Sequence, residues 1–554
     1  MESQRVSDSP PMLSRRELMS VLLGSWAAGT IGCSRQSLPP EGEWLSPDFS
    51  VGHRIRDGLR PKYDPSSSEH ADVVIVGGGI AGLSAAWRLK KAGLENFRLL
   101  EIEKVLGGTS RSGQSASFEF PWGAHYVPAP MKENRALVTL LEEMNVVVGK
   151  TEDGSPRVAE QFLCRDPEER VFVDGQWIEG LYPASGASAD DLAQLEKFQA
   201  EMDAWIARRD DDGKRLFAIP IATGADGDVV RSLDQISMQQ WMDDRGFTSS
   251  RLRWMVDYSC RDDYGLTMDQ TSAWAGIFYF ASRARVTSTS SQDVMTWPEG
   301  NGRFVKHFVN RVQDQLRPST AAGDIQLALS EKGTAKITAW DSQSDQSVGF
   351  DAEHVIFAAP QFLAPYLIRD FSRIADRSTA AFRYGAWIVA NVHLRDRPRE
   401  DGMPMCWDNV IYESKSLGYV TSTHQTGLDH GATVLTWYYP MTANEGKVSR
   451  QQLLGMTWSD WAEIVLADLS RPHPKIASLI TRIDIMRWGH AMIQPRPGFV
   501  FSEARLSAAK PIANLHFAGT DLSGVALMEE AFYHGVRAAE AVLAERKHPF
   551  ESLL

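Results

Sequence analysis

Gly77, Gly79 and Gly82 follow a Val/Ile-rich run at residues 73–76 with the spacing Gly-x-Gly-x-x-Gly. That spacing suits pyrophosphate binding. The first glycine allows a tight turn, the second lets backbone approach the phosphates, and the third lets a helix pack on the preceding strand. Ile80 and Ala81 are expected beside the cofactor, ahead of a helix N-terminus that places free N–H groups and a partial positive charge at the phosphates. Glu101 stands about twenty residues after Gly82, where a carboxylate accepts hydrogen bonds from ribose hydroxyls. Gly107 and Gly108 then let a loop pass close to the pyrophosphate, and the donor fork of Arg111 can neutralise phosphate charge.

These residues need a βαβ unit to position them. The pattern predicts a strand before Gly77, a helix over 83–92 and a second strand over 97–100. Residues 190–208 and 233–258 read as helices, 274–283 is a dense aromatic run, and 304–316 is helix-like. Strands are expected at 325–329, 334–340, 354–358, 387–394 and 433–439, and helices at 456–469 and 528–543. The stretch 34–70, rich in Pro, Ser and charge, reads as a tether.

The chain has 554 residues and a formal net charge of -13. Nucleic acid is therefore not its expected partner, because phosphate binding needs clustered Lys and Arg. Its 17 Trp and 23 Phe support a well-filled core. Residues 1–33 read as a targeting segment. Ser14-Arg15-Arg16-Glu17-Leu18-Met19 resembles a twin-arginine export motif, a route for folded proteins. Thr30-Ile31-Gly32-Cys33 resembles a bacterial lipobox, with Cys33 as a possible lipid anchor. The expected location is periplasmic or membrane-anchored. The four cysteines, widely spaced, give neither a disulfide framework nor a metal-ligand pattern.

A second segment more than four hundred residues later, Phe517-Ala518-Gly519-Thr520-Asp521, precedes the run opening Met528-Glu529-Glu530-Ala531. With Gly77 to Leu83, Leu100-Glu101, Gly107-Gly108 and Gly123-Ala124-His125, it resembles the flavin-containing amine oxidoreductase superfamily. That group includes monoamine and polyamine oxidases, L-amino-acid oxidases, protoporphyrinogen oxidase and phytoene desaturases. The resemblance implies an α/β fold (α+β overall): a Rossmann-like FAD-binding domain built from both chain ends, plus a mixed-sheet and helical substrate domain. The expected FAD domain comprises 71–149, 291–370 and 485–546, and the substrate domain 150–290 and 371–484. The resemblance adds Gly123, Ala124, His125, Gly519, Asp521, Met528 and Ala531 to the cofactor residues. Asp521 could also cap the following helix, whose N-terminus would face the flavin pyrimidine.

The resemblance also has gaps. The lysine that many amine oxidases place at flavin N5 falls near Val389, and the two substrate-flanking tyrosines of monoamine oxidases fall near Ala491 and Leu527. The cysteine that tethers FAD in monoamine oxidases falls near His490. Non-covalent FAD is expected, with no catalytic side chain assigned. The expected reaction is hydride transfer from a CH–NH or CH–CH bond to flavin N5, with oxygen or quinone as acceptor. The alternatives are desaturation of a bulky apolar substrate, or an exported FAD lipoprotein acting only as an electron relay. Trp122, His125, Tyr126, Trp274, Phe278, Tyr279, Trp437 and Tyr438 are candidate cavity residues. Residues 261–265 read as a loop or capping turn.

Overall fold

The computed structural model describes residues 41–283, 294–328, 333–375, 377–399 and 402–554. The export motif, lipobox and Cys33 lie outside the described residues. No helix among the described residues is long and apolar enough to cross a membrane.

Val73, Val74 and Ile75 are fully buried, as expected of a parallel strand covered on both faces. The Glu69–Val76 strand lies between Phe97–Leu100 and Gln346–Phe357 in a seven-stranded sheet. Leu515–Phe517 pairs in parallel with the far side of Gln346–Phe357. Helix Ile80–Lys91 covers one face and packs against the last helix, Met528–Glu545. Their approach is close enough that a Cβ at Gly535 would lie 2.0 Å from Ser84 Oγ and 2.2 Å from the Ala81 carbonyl oxygen. Trp87 fills the same layer between Phe532 and Phe308, at 5.7 and 6.2 Å.

The second sheet has eight strands, with Tyr384–Leu394 between Ile480–Ile493 and Thr433–Pro440. Tyr384–Leu394 is buried along its whole length. Ile480–Ile493 runs unbroken across residue 485, where the sequence suggested a domain boundary. Residues 41–70 of the expected tether or surface arm carry a strand and a helix. Glu41–Leu45 adds a parallel edge strand to Ile480–Ile493, and Glu43 N–H donates to Asp484 Oδ1 at 2.7 Å. Helix Phe49–Arg56 follows, capped by Asp48.

A helical layer comprises Ala189–Ala207, Asp228–Asp234, Met238–Asp244, Ser250–Tyr264 and Ala273–Ala281. The helix expected over 233–258 is therefore three helices. Gly246 adopts φ 71°, which glycine tolerates freely. Ser237 and Ser249 accept N–H bonds from Gln240 and Leu252, each starting a new helix.

Candidate functional site

The two distant glycine segments meet at one sheet edge. Val76 and Phe517 are both in register with Phe357, one on each side of it. Gly77 and Gly519 thus leave the sheet about 10 Å apart, twice the usual strand spacing. Gly77 has φ 111°, and a Cβ on Gly82 would lie 1.8 Å from the Gly77 carbonyl oxygen. By contrast, a Cβ at Gly79 or Gly519 would meet no atom within 4 Å. The tight glycines pack protein on protein, and the open ones line a cradle. Gly79 caps helix Ile80–Lys91 without a side chain, so Ile80 and Ala81 form its first turn at this edge.

Gly107 N–H donates to the Gly78 carbonyl at 2.8 Å, which lays Gly107 and Gly108 alongside Gly79. Glu101 accepts from Gly78 N–H at 2.6 Å and Glu103 N–H at 2.8 Å. Burial raises its carboxyl pKa above the usual value, against those two donors. Arg111 is turned towards Glu103 (3.4 Å) and over the Trp488 ring (5.0 Å). It sits where the two sheets meet.

Asp521 lies in its own short turn, Thr520–Leu522, and does not cap the next helix. Leu527 occupies that position without a side-chain bond. Met528 and Ala531 are buried in the first turn of that helix. Asp521 accepts from Gln361 N–H at 2.7 Å and from Tyr384 Oη at 2.5 Å, and burial raises its pKa to about 6. His490 stacks on Phe362 with centroids 4.3 Å apart and lies 5.9 Å from Tyr384. Burial, aided by the Arg450 charge, lowers its pKa to about 3, so the ring is neutral.

The segment Gly123-Ala124-His125 leads from this edge into the chamber, a buried cluster of aromatic and acidic side chains. Ala124 N–H donates to the Thr109 carbonyl at 3.0 Å, and Tyr438 Oη donates to the Gly123 carbonyl at 2.9 Å. The His125 ring stacks on Tyr438 at 5.0 Å and 30°, with Trp407 at 5.4 Å and Tyr126 at 5.1 Å. Burial lowers the His125 pKa to about 4.

Carboxyl groups crowd the opposite side. Asp262 and Asp263 end helix Ser250–Tyr264, which Gly265 closes at φ 60°. Asp263 is paired with Arg283 at 2.5 Å, whose guanidinium lies 4.8 Å from the Tyr279 ring and 5.8 Å from that of Tyr126. Asp262 has no hydrogen-bond or ion-pair partner among the described residues. Burial first, then the Asp263 charge, raises its pKa to about 7. Glu169 is raised to about 7 by burial and then Glu168, and Asp408 is raised by burial, Asp262 and Glu169. Glu529, at the start of the last helix, is also raised to about 7 by burial, opposed in part by Arg283. Among the described residues, Arg283 is thus the guanidinium ion-paired within this group of carboxyls, and the Arg261 charge also acts on Asp262.

Among the expected cavity residues, His125, Tyr126, Tyr279 and Tyr438 border this chamber. Trp274 and Phe278 belong instead to the helical-layer core. Trp437 points to the opposite face from Tyr438, as strand alternation requires, and donates to Asp468 at 2.8 Å. Trp122 is buried, its carbonyl accepting from Trp488 Nε1 at 2.7 Å. Val389 is buried within its strand. Residues 261–264 are the last helical turn rather than a loop. Arg261 turns away to Asp257 at 2.9 Å and the 414–416 carbonyls. The sequence reading missed Glu169, Arg283, Tyr384, Trp407 and Asp408. It held one usable signal, the Asp262-Asp263 pair at a helix C-terminus, where the helix dipole disfavours negative charge.

Several known proteins resemble this chain in fold or sequence. The wild-type putrescine oxidase bound to putrescine superposes with a TM-score of 0.63 at 18% identity, covering 86% of this chain and 100% of that one. Cyclohexylamine oxidase from Brevibacterium oxydans IH-35A gives 0.59 at 15% identity, covering 86% and 99%. A CLA-producing fatty acid isomerase from P. acnes gives 0.59 at 13% identity, covering 86% and 98%. These likenesses establish the fold. Mitochondrial dimethylglycine dehydrogenase of Rattus norvegicus is 31% identical over 106 residues, 19% of this chain and only 12% of the dehydrogenase. The inactive all-trans-retinol 13,14-reductase of Danio rerio is 29% identical over 146 residues, 24% of this chain and 22% of the reductase. The profile of the flavin containing amine oxidoreductases matches residues 80–543, so the chain belongs to that family, which implies a flavin cofactor.

Proposed function

We propose that the protein is an FAD-dependent oxidoreductase that oxidises the carbon beside nitrogen in a cationic amine. The observation that carries this reading is Asp262, which has no hydrogen-bond or ion-pair partner among the described residues and faces Asp263, Asp408 and Glu169 beside a buried aromatic wall. An ammonium group would relieve that repulsion, while an apolar chain would leave it in place.

The cradle fits a dinucleotide. Gly79, Ile80, Ala81 and the Gly107-Gly108 loop would hold the pyrophosphate, Glu101 the ribose, and Asp521 the ribityl portion. The first-turn N–H groups at Met528 would face the flavin ring. When bound, the flavin supplies a two-electron acceptor for a hydride from the substrate carbon. The chain's part is to bind and orient. Asp262 anchors the ammonium, and His125, Tyr438 and Trp407 form the wall that positions the reacting carbon and excludes water. His125 is neutral and so adds no competing positive charge. Non-covalent binding is supported by the neutral His490 stacked on Phe362, and by Cys260 and Cys406 lying buried elsewhere in the fold. The twin-arginine-like N-terminus supports export of the folded, cofactor-loaded protein, with oxygen or a quinone taking the electrons outside the cytoplasm.

The test is anaerobic bleaching of the purified flavoprotein with putrescine, cyclohexylamine and dimethylglycine, against an unsaturated fatty acid as the apolar comparison. Bleaching by an amine supports the reading. Bleaching by the fatty acid alone overturns it in favour of desaturation, and no bleaching by any of them points to an electron relay. Peroxide release in air then separates oxygen from quinone as acceptor.

A further inference from the structure

Away from the cradle and chamber, the dinucleotide sheet carries two histidines on one face. His516 is opposite Ile356 in the parallel register, and Ile356 shares its strand face with His354. The two imidazoles are therefore diagonal neighbours, with ring centroids 6.0 Å apart. The final helix ends over them at Glu545. Its Oε2 lies 3.2 Å from His516 Nε2 and 3.4 Å from His354 Nδ1, and the three ligand atoms lie within 4.8 Å of one another.

Simple ion pairing explains this cluster poorly. His354 Nδ1 is buried without a hydrogen-bond partner despite its nearness to the carboxylate. Glu545 closes a helix, the end at which a negative charge is unfavourable. The neighbouring cation Arg546 is already held by Asp72 at 3.0 Å and by Glu353.

We propose that His354, His516 and Glu545 form a binding site for a divalent transition-metal ion of the zinc type. Two imidazoles and one carboxylate suit such ions. Metal–ligand bonds of about 2.0–2.2 Å at tetrahedral angles place ligand atoms about 3.3–3.6 Å apart, close to the two distances from Glu545. A water molecule would complete the shell. The ion would clamp the end of the Met528–Glu545 helix to the Gln346–Phe357 and Leu515–Phe517 strands, fixing the helix whose other end faces the cradle.

The test is calorimetric titration of EDTA-treated, flavin-loaded protein with zinc chloride, beside the visible absorption of the cobalt-loaded protein. The wild type should take up one zinc ion per chain, gain melting temperature with zinc, and show the intense bands of tetrahedral cobalt. His354→Ala and Glu545→Ala, at partly open positions, should each weaken zinc binding by at least about tenfold and leave the flavin content unchanged. Absence of zinc uptake by the wild type overturns the proposal, as does equal affinity in both variants. Because the readouts are metal affinity and cobalt absorption, the result is independent of whether amines reduce the flavin.

Discussion

Replacing Asp262 by Asn removes one charge and almost no volume. Burial and the Asp263 charge raise the Asp262 pKa to about 7, so the carboxyl gains its negative charge as pH rises from about 6 to 8. An alkyl amine stays protonated across that range, since the lysine reference value is about 10.4. If Asp262 anchors the ammonium, the amine concentration for half-maximal anaerobic flavin reduction should fall about tenfold from pH 6 to pH 8 and then level off. Asp262→Asn should flatten that profile. At pH 8 it should also raise the half-maximal concentration about 10- to 150-fold, the equivalent of one charge-assisted hydrogen bond of about 1.5–3 kcal/mol. The limiting reduction rate should change far less, because the anchor does not touch the reacting carbon. The same substitution should stabilise the ligand-free protein at pH 8, since it removes a charge that burial and Asp263 both oppose. Weaker amine binding in a more stable protein is a combination that simple misfolding does not produce. An unchanged half-maximal concentration, or an equal loss for a neutral substrate, would refute the anchor.

Gly82→Ala places a Cβ 1.8 Å from the Gly77 carbonyl oxygen. The variant should purify with much less bound flavin, and full absorbance of the bound cofactor would count against the cradle. Gly535→Ala forces the last helix off Ser84 and Ala81 and should cost about 1–3 kcal/mol as overpacking, read as a lower melting temperature. An unchanged melting temperature would contradict the close helix contact. Glu169, Glu529 and Glu530 all have pKa values raised to about 7. A raised carboxyl loses its contribution between its unfolded value near 4.5 and its folded value, so these groups cost the ligand-free protein stability as pH climbs from about 4.5 to 7, with no further loss above. Histidines with lowered pKa values, such as His125, act in the opposite sense below about pH 6.5, so the loss is read by comparison: Glu169→Gln should flatten the thermal-unfolding profile between about pH 5 and 7 relative to the wild type. An identical profile in the variant would be inconsistent with a buried, raised carboxyl at that position.

The cradle was legible in the sequence because its chemistry is local. Gly77, Gly79, Gly82 and Glu101 fall within one βαβ unit, and backbone geometry dictates their spacing. The Phe517–Asp521 segment could be paired with them only through family resemblance, since strand order is not written in the residues around a strand. The chamber was largely illegible for the same reason. Asp262, Arg283, Asp408 and Glu169 come from one helix, the turn after another and two strands, and each alone reads as an ordinary surface charge. Trp274 and Phe278 misled because an aromatic run marks burial without saying which core it fills. The 34–70 stretch misled because an edge strand at Glu41–Leu45 takes its order from Asp484, far along the chain.

Why a fold would leave Asp262 without a hydrogen-bond or ion-pair partner among the described residues follows from the groups around it. A second arginine beside Asp262 would relieve the repulsion and suit the helix C-terminus, as Arg283 does for Asp263. It would also fill the chamber and repel a cationic ligand. Leaving Asp262 without a partner costs stability in the ligand-free state, but the favourable interaction is then available to whatever enters. Specificity follows from the same arrangement. A neutral apolar molecule could pack against His125, Tyr438 and Trp407, yet it would further desolvate Asp262 and Asp408 without compensating them. An ammonium gains from both features of the chamber, the aromatic wall through cation–π attraction and the acids through charge.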